Sequence, residues 1–169
     1  MDVSFPNPTD PAAATSEVFL RYLDYLRSRF EAKLNGLDDE TLRSSRLPSG
    51  WTPLELLKHL VCVERRWIVW GFCGEAVVDP WADHADGRWF VGSDETLESL
   101  LDGLHAGGVR TREVVSMTPL SQVGRPSERW EGNPPATLDR VLFHIFMEYS
   151  RHLGHLDIVR ELIDGAAGE

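Results

Sequence analysis

Apolar residues recur every three to four positions in four long stretches of the chain, a pattern that predicts four amphipathic helices. The predicted helices span residues 11–34, 52–70, 94–115 and 137–163. Asp10 and Ser93 are expected to cap the first and third helices, with Pro11 at the first helical position. Thr52 and Glu55, separated by a proline and a leucine, form a capping box that marks the start of the second helix.

The stretches between these helices contain no convincing strand, because residues 77–78 and 89–91 are too short and too isolated. Two connections, residues 71–92 and 116–136, are longer than most loops and are therefore candidates for a functional role. The pattern predicts an all-α fold, a four-helix bundle with long crossover loops. There is no internal repeat and no linker, so residues 1–169 are expected to form a single domain.

The composition disfavours some classes of binding partner and indicates the cellular compartment. The 169 residues carry a net charge of −10, which disfavours nucleic acid and membrane surfaces as partners, because both attract basic proteins. The sequence has no apolar run of about 18 residues and no secretory signal. Its two cysteines, Cys62 and Cys73, are too few for a disulfide framework. We therefore expect a cytoplasmic protein.

A polar stripe interrupts the apolar face of the last predicted helix. Its members are His144, Glu148, His152 and His155. Spacings of four, four and three residues place them within an arc of roughly 80°, and apolar residues continue the same arc at both ends. The stripe is therefore predicted to enter the core, where charge is costly unless it is paired or binds a metal.

The spacing of the stripe suits a metal site. Glu148 and His152, four residues apart, project side by side at about 6 Å between their Cβ atoms. A third ligand must come from another helix, and His59 is the candidate because it shares a face with apolar residues of the second helix. Two histidines and one carboxylate leave coordination positions open, an arrangement typical of catalytic metal sites.

Simpler interpretations of the same residues stay open. A single buried histidine such as His59 is usually a hydrogen-bonded core residue, and Glu148 with His152 also fits a helix-surface pair. Cys62 lies one turn after His59, where it suits either a soft metal ligand or a buried, inert thiol.

Two segments carry a resemblance to a known family. The stretches LPSGWTPLELLKHLVCVERRW from Leu47 and LFHIFMEYSRHLGHLDIVRELIDG from Leu142 resemble the DinB-like superfamily. Within it they are similar to the mini-circle-type branch, which is related to thiol S-transferases and to the N-terminal domains of mycothiol-dependent maleylpyruvate isomerases. The resemblance implies a four-helix bundle with a divalent metal held by His59, Glu148 and His152.

The family pattern also differs between branches at these positions. Many members have histidine where this chain has Glu148, whereas the mycothiol-dependent isomerases resemble this chain in using glutamate. His155 stands where many relatives have glutamine, which implies that it supports the ligands. His144, one turn before Glu148, is expected to be either a supporting residue or an extra ligand.

The resemblance leads to a functional hypothesis of metal-dependent thiol S-transfer to an electrophile. Mycothiol is the expected thiol, since the basic residues include only two lysines, Lys33 and Lys58, as in proteins from high-GC actinobacteria. The isomerases usually carry a second domain, so S-transfer is favoured over isomerisation. A metal-dependent hydrolase and a non-enzymatic small-molecule-binding or stress-response module are the alternatives.

Three further features stay undecided at the level of sequence. The ligand set accepts Zn, Ni, Fe or Mn. The resemblance is compatible with a homodimer, although no feature of the sequence indicates one. Arg88, Arg125 and Arg129 lie in the long loops and are candidates for binding an anionic group, although solvated surface arginines are the commoner case.

Overall fold

Four long helices dominate residues 3–167, the part of the chain that the computed structural model describes. They are α1 (Thr15–Leu34), α3 (Pro53–Glu64), α4 (Leu97–Met117) and α5 (Leu138–Asp164), with the short helix α2 (Asp39–Leu42) after α1. Helices α1 and α3 each pack against both α4 and α5, so that the four surround a common core. The predicted all-α bundle of four long helices is confirmed.

The core is built from the apolar stripes that the sequence pattern indicated. Side chains that are almost completely inaccessible to solvent come from every long helix, among them Leu23, Phe30, Leu57, Leu60, Leu104, Leu138 and Leu142. Burial of each such side chain contributes about 1.5–3 kcal/mol to stability. None of the helices in the described residues combines the length and apolarity needed to cross a membrane.

The start of α3 matches its prediction in atomic detail. The Thr52 hydroxyl accepts a hydrogen bond from the Glu55 backbone N–H at 3.2 Å, and the Glu55 carboxylate accepts one from the Thr52 N–H at 2.8 Å. These two bonds satisfy N–H groups that have no partner within the helix. The result is a fixed entry into the helix that carries His59.

The starts of α1 and α4 differ from their predictions. Helix α1 begins at Thr15 rather than at Pro11, after Ala14, which supplies no side-chain cap. Helix α4 is capped by Thr96 rather than by Ser93, because Thr96 and Ser99 form a complete capping box. Helix α5 follows its prediction and ends at Gly165, whose φ of 77° is the left-handed conformation that favours glycine.

The second predicted helix is α-helical only in its first part, and its last part has a different helical hydrogen-bond pattern. After α3 the residues Arg65–Phe72 form a π-helical segment. Such segments are rare and often occur at functional sites. This one carries Arg66 and Trp67, whose side chains lie beside the polar cluster described below.

The first long connection contains two very short strands, so the expectation of no strand was wrong here. Strands β1 (His84–Ala85) and β2 (Arg88–Trp89) pair antiparallel. Asp86 and Gly87 join them with positive φ angles of 52° and 75°. This is the geometry of a type I′ turn, for which Asp-Gly is a favoured sequence.

The second long connection is anchored to the π-helical segment. The Arg125 N–H donates a hydrogen bond to the Phe72 carbonyl at 2.8 Å. Trp130, at the end of a 3₁₀ turn (Glu128–Trp130), donates through its indole N–H to the Gly71 carbonyl at 3.1 Å. These bonds fix the loop, and Arg129 within it, against one face of the bundle.

Candidate metal centre

The structure brings the three predicted ligands together at the interface of α3 and α5. His59, Glu148 and His152 each offer one donor atom, and these atoms lie within 4.8 Å of one another. His152 Nε2 is 3.2 Å from Glu148 Oε2, and His59 Nε2 is 3.7 Å from the same oxygen. Residues 89 positions apart in the chain thus converge on one point.

The spacing of these atoms fits a single transition-metal ion. Ligand atoms about 2.1 Å from one metal lie roughly 3–3.5 Å apart in tetrahedral or octahedral geometry. The two distances to Glu148 Oε2 are close to this range, so small side-chain rotations suffice to close the site. Two imidazoles and one carboxylate are the donor set of open catalytic centres.

The burial of the three side chains is graded from one side of the site to the other. The His152 side chain is 8% exposed, His59 is 12% exposed and Glu148 is 26% exposed. The site is therefore sheltered by the bundle on the His152 side and open to solvent on the Glu148 side. A substrate has access to an ion held there without unfolding of the bundle.

Asp83 orients His59, and the sequence analysis missed it. Its carboxylate, which is fully buried, lies 2.8 Å from His59 Nδ1. Arg66 donates two hydrogen bonds to Asp83, at 2.6 and 3.0 Å, and so fixes the carboxylate. With the Nδ1 proton held by Asp83, the Nε2 lone pair of His59 faces the site, as in carboxylate–histidine–metal arrangements.

Trp89 covers the other side of the His59 ring. The two rings stack with centroids 4.6 Å apart and planes inclined by 19°. Trp89 belongs to the first long loop, and the structure places it directly on a candidate ligand. The signal that could have located it is Asp86-Gly87, since that pair predicts the hairpin that carries Trp89 back to α3.

His144 and His155 contact the candidate ligands from either end of the stripe. His144 Nε2 is 3.4 Å from Glu148 Oε1, on the solvent side. His155 Nδ1 is 3.3 Å from His152 Nδ1. When His152 Nδ1 donates this hydrogen bond to His155, the Nε2 atom of His152 is left unprotonated toward the site.

The carboxylate and the imidazoles of the cluster shift one another's pKa values. The surrounding histidines, His144 first and then His152 and His59, hold the pKa of the Glu148 carboxyl well below its usual range. Burial lowers the pKa of His59, but hydrogen bonds to Asp83 and Glu148 outweigh burial and raise it. The site is therefore an anionic carboxylate among imidazoles, with an electrostatic preference for a cation.

Other sequence candidates lie outside the triad. Cys62 is buried, and burial raises the pKa of its thiol, which fits the interpretation as an inert core residue. His105 is exposed and pairs with Glu31 at 3.0 Å. His84 places Nδ1 3.1 Å from Asp83.

Two grooves flank the site. One, of about 770 Å³, is lined by His144 together with apolar residues of α1 and α5. The other, of about 530 Å³, is lined by Trp51 and Trp89 beside Arg88. The cluster therefore lies between two surfaces on which small molecules can rest.

Comparison with known proteins identifies the family. The family model described as mycothiol S-transferase matches residues 18–165, which include every long helix except the first three residues of α1 and all three candidate ligands. A comparison with curated proteins finds no match. The geometry at α3 and α5 and the family match point the same way, and the chain belongs to the mycothiol S-transferase family, a DinB-like family.

Proposed function

We propose that this protein is a metal-dependent S-transferase that joins mycothiol to an electrophile. The observation that carries the proposal is the convergence of His59, Glu148 and His152 in a chain whose family implies a thiol partner. A divalent metal supplies one piece of chemistry when bound, since it lowers the pKa of a thiol placed beside it and so creates the nucleophile.

The residues of the chain have distinct tasks in this proposal. Glu148, His152 and His59 hold the ion, while Asp83 and His155 fix the two imidazoles through their second nitrogens. No protein nucleophile is needed. With an aryl chloride as electrophile, the sulfur–carbon bond forms, the carbon–chlorine bond breaks, chloride leaves with the bonding pair and the thiol proton goes to solvent.

Two grooves beside one site suit two substrates. The larger groove, at His144, opens on the exposed side of Glu148. The groove at Trp51 and Trp89 borders the His59 side. We further propose that the reaction takes place in the cytoplasm and that residues 1–169 form a single domain. A homodimer is compatible with the proposal.

The test is conjugation of mycothiol to 1-chloro-2,4-dinitrobenzene by the purified protein. Formation of the aryl thioether is expected to require both mycothiol and a divalent metal. Glu148→Ala is expected to lower kcat/KM by at least about a hundredfold, since it removes a ligand. Glu161→Ala is the matched control, because Glu161 is exposed on the same helix, away from the cluster.

Three outcomes contradict the proposal. Full activity in a folded Glu148→Ala variant excludes the triad as the metal site. Metal-dependent turnover of ester substrates without thiol identifies a hydrolase. Metal binding with no turnover of any electrophile favours the binding-module alternative.

A further inference from the structure

Arg129 is a half-buried arginine whose charge is not neutralised within the described part of the chain. Its Nε atom is buried and has no hydrogen-bond partner. No carboxylate of residues 3–167 forms an ion pair with it, and Glu131 is the one acidic residue whose charge influences it. The two terminal nitrogens of Arg129 are not buried and form no hydrogen bond among residues 3–167, so they are the atoms that a ligand can reach. An unpaired arginine that is partly removed from water is costly, which favours a ligand at these nitrogens.

The surroundings of Arg129 keep its guanidinium in place. Its Cζ lies 3.9 Å from the centre of the Trp67 ring and 5.9 Å from that of Trp81. Arg66 contacts Trp81 at 4.5 Å, but both of its terminal nitrogens are bound to Asp83. Asp83 thus neutralises Arg66, whereas Arg129 remains available to a ligand.

The position of Arg129 connects it to the candidate metal centre. Trp67, on which its guanidinium lies, contacts the His144 ring at 4.3 Å between centroids. His144 in turn is 3.4 Å from Glu148. Arg129 therefore stands on the open, Glu148 side of the centre, separated from it by a tryptophan and a histidine ring.

A second polar group in the same turn also has no partner. The hydroxyl oxygen of Ser127 is buried without a hydrogen bond among the described residues. The turn itself is rigid, because the Trp130 indole N–H donates to the Gly71 and Arg125 carbonyls, both at 3.1 Å. A guanidinium on a fixed support is preorganised for the planar, two-oxygen geometry of a carboxylate.

We propose that Arg129 binds a carboxylate of the electrophile and so makes the enzyme selective for anionic acceptors. The inference rests on the proposed S-transfer and specifies its second substrate. Mycothiol carries no carboxylate, so the anionic group belongs to the electrophile. With an aryl chloride as acceptor, the sulfur–carbon bond forms, the carbon–chlorine bond breaks, chloride leaves with the bonding pair, and the thiol proton goes to solvent.

The kinetic test compares 4-chloro-3,5-dinitrobenzoate with its uncharged carboxamide as acceptors for mycothiol. The wild-type protein is expected to prefer the carboxylate. Arg129→Gln is expected to reduce the carboxylate-to-carboxamide ratio of kcat/KM by about tenfold or more, and Arg129→Lys to retain part of it. Arg125→Gln, an exposed arginine of the same loop, is the matched control and should leave the ratio unchanged.

The ratio separates recognition from a merely structural role, because a distorted fold lowers both rates together. An unchanged ratio in Arg129→Gln, or no wild-type preference for the carboxylate, overturns the proposal. Absence of turnover with both acceptors instead refutes the S-transfer on which it rests.

A binding measurement tests Arg129 independently of turnover. Calorimetric titration of the full chain with 3,5-dinitrobenzoate and with 3,5-dinitrobenzamide, without thiol, is expected to show tighter binding of the carboxylate. Arg129→Gln should weaken carboxylate binding by about tenfold and leave amide binding unchanged. Equal carboxylate affinity in the variant and the wild type, or no carboxylate binding at all, contradicts the assignment.

Discussion

Helices α3 and α5 carry two polar clusters only a few residues apart, and the two are built differently. In the first, the buried Glu64 carboxylate accepts hydrogen bonds from Arg27, Thr111 and Tyr149. In the second, the ion-pair partners of Glu148 among the described residues are histidines, with no arginine or lysine. Glu64 thus has a permanent cation as its partner, whereas Glu148 has only imidazoles, because the nearby Arg66 is bound to Asp83.

The difference separates a structural network from a candidate reactive centre. Glu64 is 1% exposed and Arg27 is 5% exposed, and the network around them is fully paired. Such a network fixes the packing of the four long helices and leaves nothing for a ligand. The cluster at Glu148 is sheltered on one side and open on the other, and in the proposed function a metal ion would supply positive charge there.

The largest expected effect is on stability, from Glu64→Ala. The change leaves the Arg27 guanidinium buried without its main partner, and the free energy of unfolding is expected to fall by about 3–5 kcal/mol. Urea denaturation of the metal-free protein measures it. Glu148→Ala is the comparison, and it is expected to cost the metal-free protein far less because no buried cation loses its partner.

A double variant sharpens this prediction. Arg27→Met combined with Glu64→Leu replaces the ion pair by apolar side chains and is expected to recover much of the lost stability. Equal losses of unfolding free energy in Glu64→Ala and Glu148→Ala would show that the two clusters are built alike.

Asp83→Asn is expected to have a smaller effect, on the affinity for metal. The amide keeps the size of the side chain but holds His59 Nδ1 less firmly, and metal affinity is expected to fall about 10–100-fold. A competition titration against a chromophoric chelator measures the affinity. Asp86→Asn is the control, since Asn-Gly also favours the type I′ turn and Asp86 is exposed. Unchanged affinity in Asp83→Asn would exclude the orienting role.

The smallest effect is the pH dependence of metal binding. Burial opposes protonation of His59, but its hydrogen bonds to Asp83 and Glu148 raise its pKa above 6.5. A proton must therefore leave His59 before it binds metal, and affinity is expected to fall by up to about tenfold per pH unit below that pKa.

The metal-free protein is expected to show the opposite trend for the same group. The raised pKa of His59 contributes stability that is fully present below the unfolded-state pKa and is lost as pH rises through the folded-state pKa. Titrations between pH 5.5 and 8 with and without metal check the two signs. The same slope in both would contradict the assignment of His59 as a ligand.

The features that the sequence predicted are those set by local or periodic signals. The Thr52 capping box depends on residues three apart, and the stripe that contains Glu148 and His152 depends on helical periodicity. His59 could be proposed as the third ligand because the apolar pattern predicted both its helix and the buried face on which it lies. The bundle followed from the four apolar stripes.

The features that were missed depend on how loops return to the bundle. Asp83 lies 24 residues after His59, in a connection whose path no periodic pattern encodes. Arg129 was a candidate together with Arg88 and Arg125, but the sequence could not show that it alone of the three lies on Trp67 with a buried, unpartnered Nε atom. Thr96 rather than Ser93 caps helix α4, because Ser99 completes a capping box with Thr96. The sequence contains this pair, but the prediction did not use it.

The most direct test of the central claim is the metal content of the purified protein, measured by elemental mass spectrometry. We expect about one equivalent of a transition metal in the wild type and in Glu161→Ala, and its loss in both Glu148→Ala and His152→Ala. No metal in the wild-type protein, even after reconstitution with Zn, Ni, Fe and Mn, would contradict it and would make the histidine cluster a second structural network.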